Sequence, residues 1–203
     1  MNVVILCGGR GTRLAGLWDR AKCLVPLGDG QPIIVHLIRR AHALQPHRII
    51  IVTGHRGDEI ADELRRLSLL HPRVFVHREA QPSGTASAVR AVAHLLDEFH
   101  HTLVFNGDTL PRYNLSELVQ CVPINGCWRL IRAVCGGKPA GAVLLGSDAL
   151  RQLLDAEHSD LDAWLDNFPY QVDAGIYYLH VCGYLDVGTP RGFELARTWT
   201  EGL

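Results

Sequence analysis

Apolar and polar positions along this chain fall into two periods that take turns. The run NVVILC at residues 2–7 is apolar almost throughout, as in a strand buried on both faces. QPIIVHLIRRAHAL then returns its apolar residues at helical spacing, with Pro32 near the first turn. RIIIVTG reads as a strand, GDEIADELRRLSLL as a helix, RVFVH as a strand, GTASAVRAVAHLLDEF as a helix and TLVFNGD as a strand. Strands alternating with helices in this way predict an α/β fold, a Rossmann-like, mostly parallel sheet flanked by helices. In such sheets ligands sit beyond the carboxyl ends of the strands, where CGGRGTR and NGD both fall.

After residue 120 the rhythm loosens. CWRLIRAV and GAVLLG read as strands, SDALRQLLDAE and DLDAWLDNF as helices, and QVDAGIYYLHV as a strand. GTPRGFELARTWTEG reads as a C-terminal helix opened by Pro190. No internal repeat, low-complexity tract or linker interrupts the chain, so residues 1–203 are expected to form one domain.

Composition narrows the classes of function. Lys plus Arg number 20 against 21 Asp plus Glu, so no global field favours nucleic acid or an anionic membrane. No stretch approaches the roughly 20 apolar residues of a membrane span. MNVVILCGG lacks the basic start of a signal peptide, which places the expected location in the cytoplasm. The six cysteines show no CxxC spacing and are expected to be reduced, buried thiols. The eleven histidines form no HExxH or HxH pattern, so surface or hydrogen-bonded roles are expected. The sequence leaves the oligomeric state open, a homo-oligomer included.

Three groups of residues carry candidate chemistry. In the glycine loop, a dinucleotide fold would need GxGxxG and a P-loop would need GK followed by Ser or Thr; neither is present. Instead Gly8, Gly9, Gly11, Thr12 and Arg13 follow the first strand. Glycines let backbone N–H groups turn inward onto phosphate oxygens, and Arg13 adds a two-pronged donor suited to a pyrophosphate. Lys22, in AKCLVPLGDGQP, is a compact charge expected near the same loop, where it could neutralise a phosphate under attack. Asp108 and Asp186 each end an apolar run beside glycine, and two such carboxylates are hard oxygen ligands of the kind Mg²⁺ uses next to substrate phosphates.

Taken in order, LCGGRGTRL, Lys22 with Pro26, EAQPSGTASAV, NGDT and LDVGTPRGFELA resemble the sugar-1-phosphate nucleotidyltransferase family. Among its members the chain is most similar to the short D-glycero-D-manno-heptose 1-phosphate guanylyltransferases. The resemblance implies attack of a sugar 1-phosphate on the α-phosphorus of a nucleoside triphosphate, with Mg²⁺ as cofactor and pyrophosphate as leaving group. It implies a nucleotide-binding half over residues 1–112 and a shortened sugar-binding half over 113–203. It further implies nucleotide contacts from Leu6, Gly8, Gly9, Gly11, Thr12, Arg13, Glu79, Gly84 and Thr85, catalytic roles for Arg13 and Lys22, and metal binding by Asp108 and Asp186. Glu79 and Gly84 match the family's base-pocket segment, whose uridylyl and thymidylyl members often carry glutamine at the first position. Guanine presents two adjacent donors and a carboxylate only accepts, so Glu79 favours GTP.

The family pattern breaks in the second half. DAGIYYL at residues 173–179 looks like the sugar-pocket strand but lies too close to Asp186, and it is read as core. PAGAVLL, with Gly141, takes the pocket position, and Pro139 stands where the family has asparagine. Lys138 stands for the end of the family's Glu-Lys pair, with no glutamate before it. Two alternatives stay open: a non-catalytic nucleotide-binding regulatory subunit, and a molybdenum-cofactor nucleotidyltransferase. Ala21 before Lys22 and the LDVGTP segment disfavour the latter.

Overall fold

The computed structural model describes residues 1–97, 100–120, 130–168 and 176–199. Strand β1 (Asn2–Cys7) leads through the glycine loop to helix α1 (Ile33–Ala43), then β2 (Arg48–Thr53), α2 (Gly57–Arg66), β3 (Val74–Arg78), α3 (Thr85–Ala91) and β4 (Thr102–Asn106). The second half adds β5 (Thr109–Pro111), α4 (Leu115–Gln120), β6 (Leu130–Cys135), β7 (Lys138–Leu145), α5 (Ser147–Asp155), α6 (Leu161–Asp166), β8 (Ile176–His180), β9 (Tyr184–Asp186) and α7 (Pro190–Ala196).

Seven strands form one sheet in the order β3-β2-β1-β4-β7-β6-β8, and β5 pairs with β9 in a separate two-stranded ribbon. The expected mostly parallel sheet is present, with β7 alone running antiparallel to its neighbours β4 and β6. The reversal has a local cause. Cys135 pairs with Lys138 across Gly136 and Gly137, whose φ values of 57° and 75° make a two-residue hairpin turn.

Alternation of side chains divides the core between the two faces of the sheet. Val3, Ile5, Ile49, Ile51, Leu103 and Phe105 pack with α1 and α2 on one side. Val4, Ile50, Val52 and Val104 pack with α3, α5 and α6 on the other. These strands are therefore apolar on both faces, which is why they read as continuous apolar runs.

Some expected boundaries shift. The helix expected over residues 57–70 ends at Arg66, where Ser68 takes a left-handed φ of 53° and the Leu69 N–H bonds back to the Leu64 carbonyl. The helix expected over residues 84–99 stops at Ala91 and passes into a single 3₁₀ turn, Ala93–Leu95. Arg48 on β2 donates to the Leu95 carbonyl at 2.6 Å, at the end of that turn. The expectation that residues 173–179 are core is corrected in part: Ile176 belongs to the core and Leu179 packs against it, but the two tyrosines between them do not. β8 is an edge strand with Tyr177 and Tyr178 exposed, because no further strand covers it among the described residues; residues 173–175 lie outside them.

The thiol expectation is corrected in part. Cys7 and Cys23 are buried, but Cys135, the last residue of β6 before the hairpin turn, is only half-buried, and Cys182, beyond the end of β8, is exposed. Cys121 and Cys127, and residues 127–129 of the strand expected at CWRLIRAV, lie outside the described residues, as do residues 200–203. Among the described residues no helix is long and apolar enough to cross a membrane.

Candidate active site

Strands β1, β2, β3 and β4 all end on the same edge of the sheet, and the segments after β1, β3 and β4 wall a cleft of about 630 Å³. Leu6 lines it from the end of β1, and Gly8, Gly9, Arg10 and Arg13 from the first loop. Glu79 and Gly84 line it from the segment after β3, and Asp108 from the turn after β4. Gly11 and Thr12 do not line this cleft. Gly11 serves the loop differently: its φ is 69°, and a Cβ there would lie 3.0 Å from Cγ of Lys22. The turn therefore admits the lysine stem against its backbone, while Thr12 opens a 3₁₀ turn, Thr12–Leu14.

Lys22 sits in a second 3₁₀ turn, Lys22–Leu24, held in place where the Ala21 N–H donates to Glu59 on α2. Its ammonium reaches Oδ2 of Asp108 at 2.5 Å, and both side chains are mostly shielded from water. Asp186 arrives from the other direction, through the β5–β9 ribbon in which Thr109 pairs with Asp186. The two carboxylates converge. A Cβ built on Gly188 would lie 2.7 Å from Oδ2 of Asp108, 2.9 Å from Oδ1 of Asp186 and 3.3 Å from Nη2 of Arg13. Glycine at position 188 leaves that space open. Burial, and then the neighbouring Asp108 charge, hold the Asp186 carboxyl above its ordinary range; the Gly188 N–H, Arg13 and Lys22 oppose the shift. Two hard oxygen donors facing one open space fit a divalent cation.

Glu79 is nearly enclosed, and its Oε2 faces Gly8, where a Cβ would come within 3.2 Å of it. Its N–H bonds to the Thr53 carbonyl, which fixes the side chain at the end of β2, and burial raises its pKa. Gly84 has φ 127°, and a Cβ there would strike the Ser159 carbonyl oxygen at 2.3 Å. That carbonyl accepts from the Ala86 and Ser87 N–H groups at the start of α3. Thr85 lines the cleft with its hydroxyl engaged, accepting from the Leu161 N–H at 2.7 Å and donating to Asp160 at 3.1 Å. The Cys7 thiol, hydrogen-bonded to Cys23 and then further raised by burial, stays protonated well above neutral pH.

From the second half, Lys138, Pro139 and Gly141 of β7 also line the cleft. Gly141 has φ 78° and packs directly under Thr109, whose Cγ2 would lie 2.5 Å from a Cβ there. Asn106, Thr109, Asp162 and Tyr184 also line the wall and were not anticipated from the sequence. Tyr184 lies two residues before Asp186 on β9, so strand alternation alone gives it the same face. Asp162 had no such signal: it reaches the cleft only because α6 packs against α3.

A family model described as nucleotidyl transferase matches residues 2–124. The bifunctional protein GlmU of Burkholderia multivorans is 36% identical over 122 residues, covering 60% of this chain and 25% of that protein. GlmU of Methylibium petroleiphilum is 35% identical over 109 residues, covering 54% of this chain and 23% of that protein. The chain thus aligns with about a quarter of the length of these curated relatives. Among solved structures, HddC from Yersinia pseudotuberculosis complexed with GMP-PN gives a TM-score of 0.75 at 21% identity, covering 97% of each chain. A Bacillus anthracis chain described as a glucose-1-phosphate thymidylyltransferase gives 0.75 at 18% identity, covering 100% of this chain and 97% of that one. Those two likenesses establish the fold. The family model spans more than half of the residues, and the chain belongs to the nucleotidyl transferase family.

Proposed function

We propose that this chain transfers GMP from GTP to a sugar 1-phosphate, a heptose or hexose phosphate, releasing pyrophosphate. The observation that carries the reading is the convergence of Asp108, Asp186, Lys22 and Arg13 at the mouth of the glycine loop. A mere nucleotide binder has no need of a second carboxylate facing the first.

The sugar phosphate oxygen forms a new bond to the α-phosphorus while the bond to the β-phosphate oxygen breaks, and pyrophosphate leaves with that electron pair. Such a step needs positioning and charge neutralisation more than covalent help. The N–H groups of the Gly8–Gly9 segment cradle the phosphates, and Arg13 holds the departing pyrophosphate. Lys22, paired with Asp108 in the free protein, turns its ammonium to the phosphate under attack. Asp108 and Asp186 would hold Mg²⁺, which supplies positive charge to the phosphate oxygens. Glu79 accepts from the two guanine donors at the cleft wall. The bound GMP-PN of the HddC structure supports a guanine nucleotide, and a cytoplasmic setting suits the free thiols.

The test is a pyrophosphate-release screen of four nucleoside triphosphates against a panel of sugar 1-phosphates with Mg²⁺, with Asp108→Asn as the blank. GTP with one sugar phosphate should stand out. If no pair releases pyrophosphate although GTP binds, the protein is a non-catalytic nucleotide-binding subunit.

A further inference from the structure

We propose that Asp162 reads a hydroxyl of the sugar acceptor and thereby sets acceptor specificity; this rests on the transferase reading above. The cleft wall has two sources. Loops after the parallel strands bring the glycine loop and Glu79, whereas β7 and α6 bring Lys138, Pro139 and Asp162. The acceptor must therefore meet the second group, and within it Asp162 is the carboxylate.

Asp162 is built rather than incidental. Its Oδ1 accepts from Nη2 of Arg132 at 2.7 Å, and Nη1 of the same guanidinium donates to Asp166 at 2.8 Å. The Arg132 side chain is only 7% exposed, so it is a fixed strut rising from β6. The Asp162 side chain is 50% exposed, and its Oδ2 has no hydrogen-bond partner among the described residues. The side chain is thus held through one oxygen at the cleft wall, and the other keeps its acceptor capacity.

Chemistry then selects the ligand group. An ionised carboxylate repels phosphate and accepts only from donors, so it addresses the uncharged, hydroxyl-bearing part of the acceptor. Arg132 acts as a positioning residue. The guanidinium is shared between two aspartates and holds the Asp162 carboxylate in place as an acceptor at the cleft wall.

The experiment measures steady-state kinetics of wild type, Asp162→Asn and Asp166→Asn with the sugar 1-phosphate that the screen identifies, and with its monodeoxy analogues. Asp162→Asn should raise the KM for the sugar phosphate about ten- to a hundredfold, with the KM for GTP and kcat within about twofold. Asp166→Asn, which removes the other Arg132 partner away from the cleft wall, should leave both KM values within about twofold. One deoxy analogue should lose as much with the wild type as the mutation does, and the two losses should not add. If Asp162→Asn leaves the sugar KM unchanged, or lowers kcat and GTP binding equally, the role is structural and the proposal is wrong. Additive losses for every analogue overturn it as well. A wild type that binds GTP but turns over no sugar phosphate removes the transferase reading, and this proposal with it.

Discussion

Asp186→Asn probes the carboxylate pair from two opposite directions. Without metal, the pair is a liability, because two partly shielded negative charges face one open space beside Gly188. At an effective dielectric constant of about 20, charges on the order of 5 Å apart repel by roughly 3 kcal/mol. Arg13 and Lys22 oppose this, and Asp186 is about half shielded from water, so screening leaves about 1 kcal/mol to be gained. The amide keeps an acceptor for the Gly188 N–H, so the turn survives. In EDTA at neutral pH the variant should therefore melt about 2–4 °C higher than wild type. The sign follows from linkage: the Asp186 carboxyl is raised above 3.8 in the folded protein, so the native state holds its proton longer than the unfolded chain. Wild-type stability without metal should fall as pH rises from about 4 through the raised value, and the variant should lack that fall. If the proposed function holds, the order should reverse with Mg²⁺ and GTP: wild type should gain about 2.7 kcal/mol at a hundredfold excess over Kd, while Asp186→Asn should gain little. Thermal unfolding in both buffers reads the two effects. A variant destabilised in EDTA, or stabilised by Mg²⁺ and GTP as strongly as wild type, would refute the placement of the pair.

Other perturbations address the rest of the cleft. Glu79→Gln should reduce the preference for GTP over UTP and dTTP about ten- to a hundredfold in competition kinetics, since an amide offers guanine one acceptor and one misplaced donor. Arg13→Ala should lower kcat/KM for GTP by about 2–4 kcal/mol of transition-state stabilisation, and unchanged kinetics would place Arg13 in solvent. Gly141→Ala combines a φ of 78° with a Cβ 2.5 Å from Thr109, and should cost about 2–4 kcal/mol in urea unfolding.

The first half of the chain was legible because β1, β2 and β4 are buried on both faces and the intervening helices carry single apolar stripes. Position at strand ends then located Asp108 and the glycine loop without any knowledge of packing. The reversal of β7 was written in Gly136–Gly137, a two-glycine hairpin signal between apolar runs, but its antiparallel direction shows only when the turn is weighed with both strands. Ser68 ended α2 without glycine, and composition alone does not reveal such a turn. Asp186 was legible as the end of an apolar run, yet its meeting with Asp108 depends on the β5–β9 ribbon, whose strands lie far apart in sequence. Asp162 was illegible for the same reason: a helix surface acid becomes a cleft residue only through the contact of α6 with α3.

The seam between Gly84 and Ser159 bears on how such chains can be recombined. The Ser159 carbonyl serves the Ala86 and Ser87 amides, and Thr85 serves the Leu161 amide in return. Donor and acceptor thus come from opposite halves of the sequence, and neither half closes its own backbone here. A chimera joined near Arg112 to a relative's second half would keep Gly84 without its matching loop and leave two amides at the head of α3 unserved. Exchange of acceptor-binding segments should therefore succeed only when residues 84–87 and 157–161 travel together, so the seam marks where modular shuffling of this fold must cut.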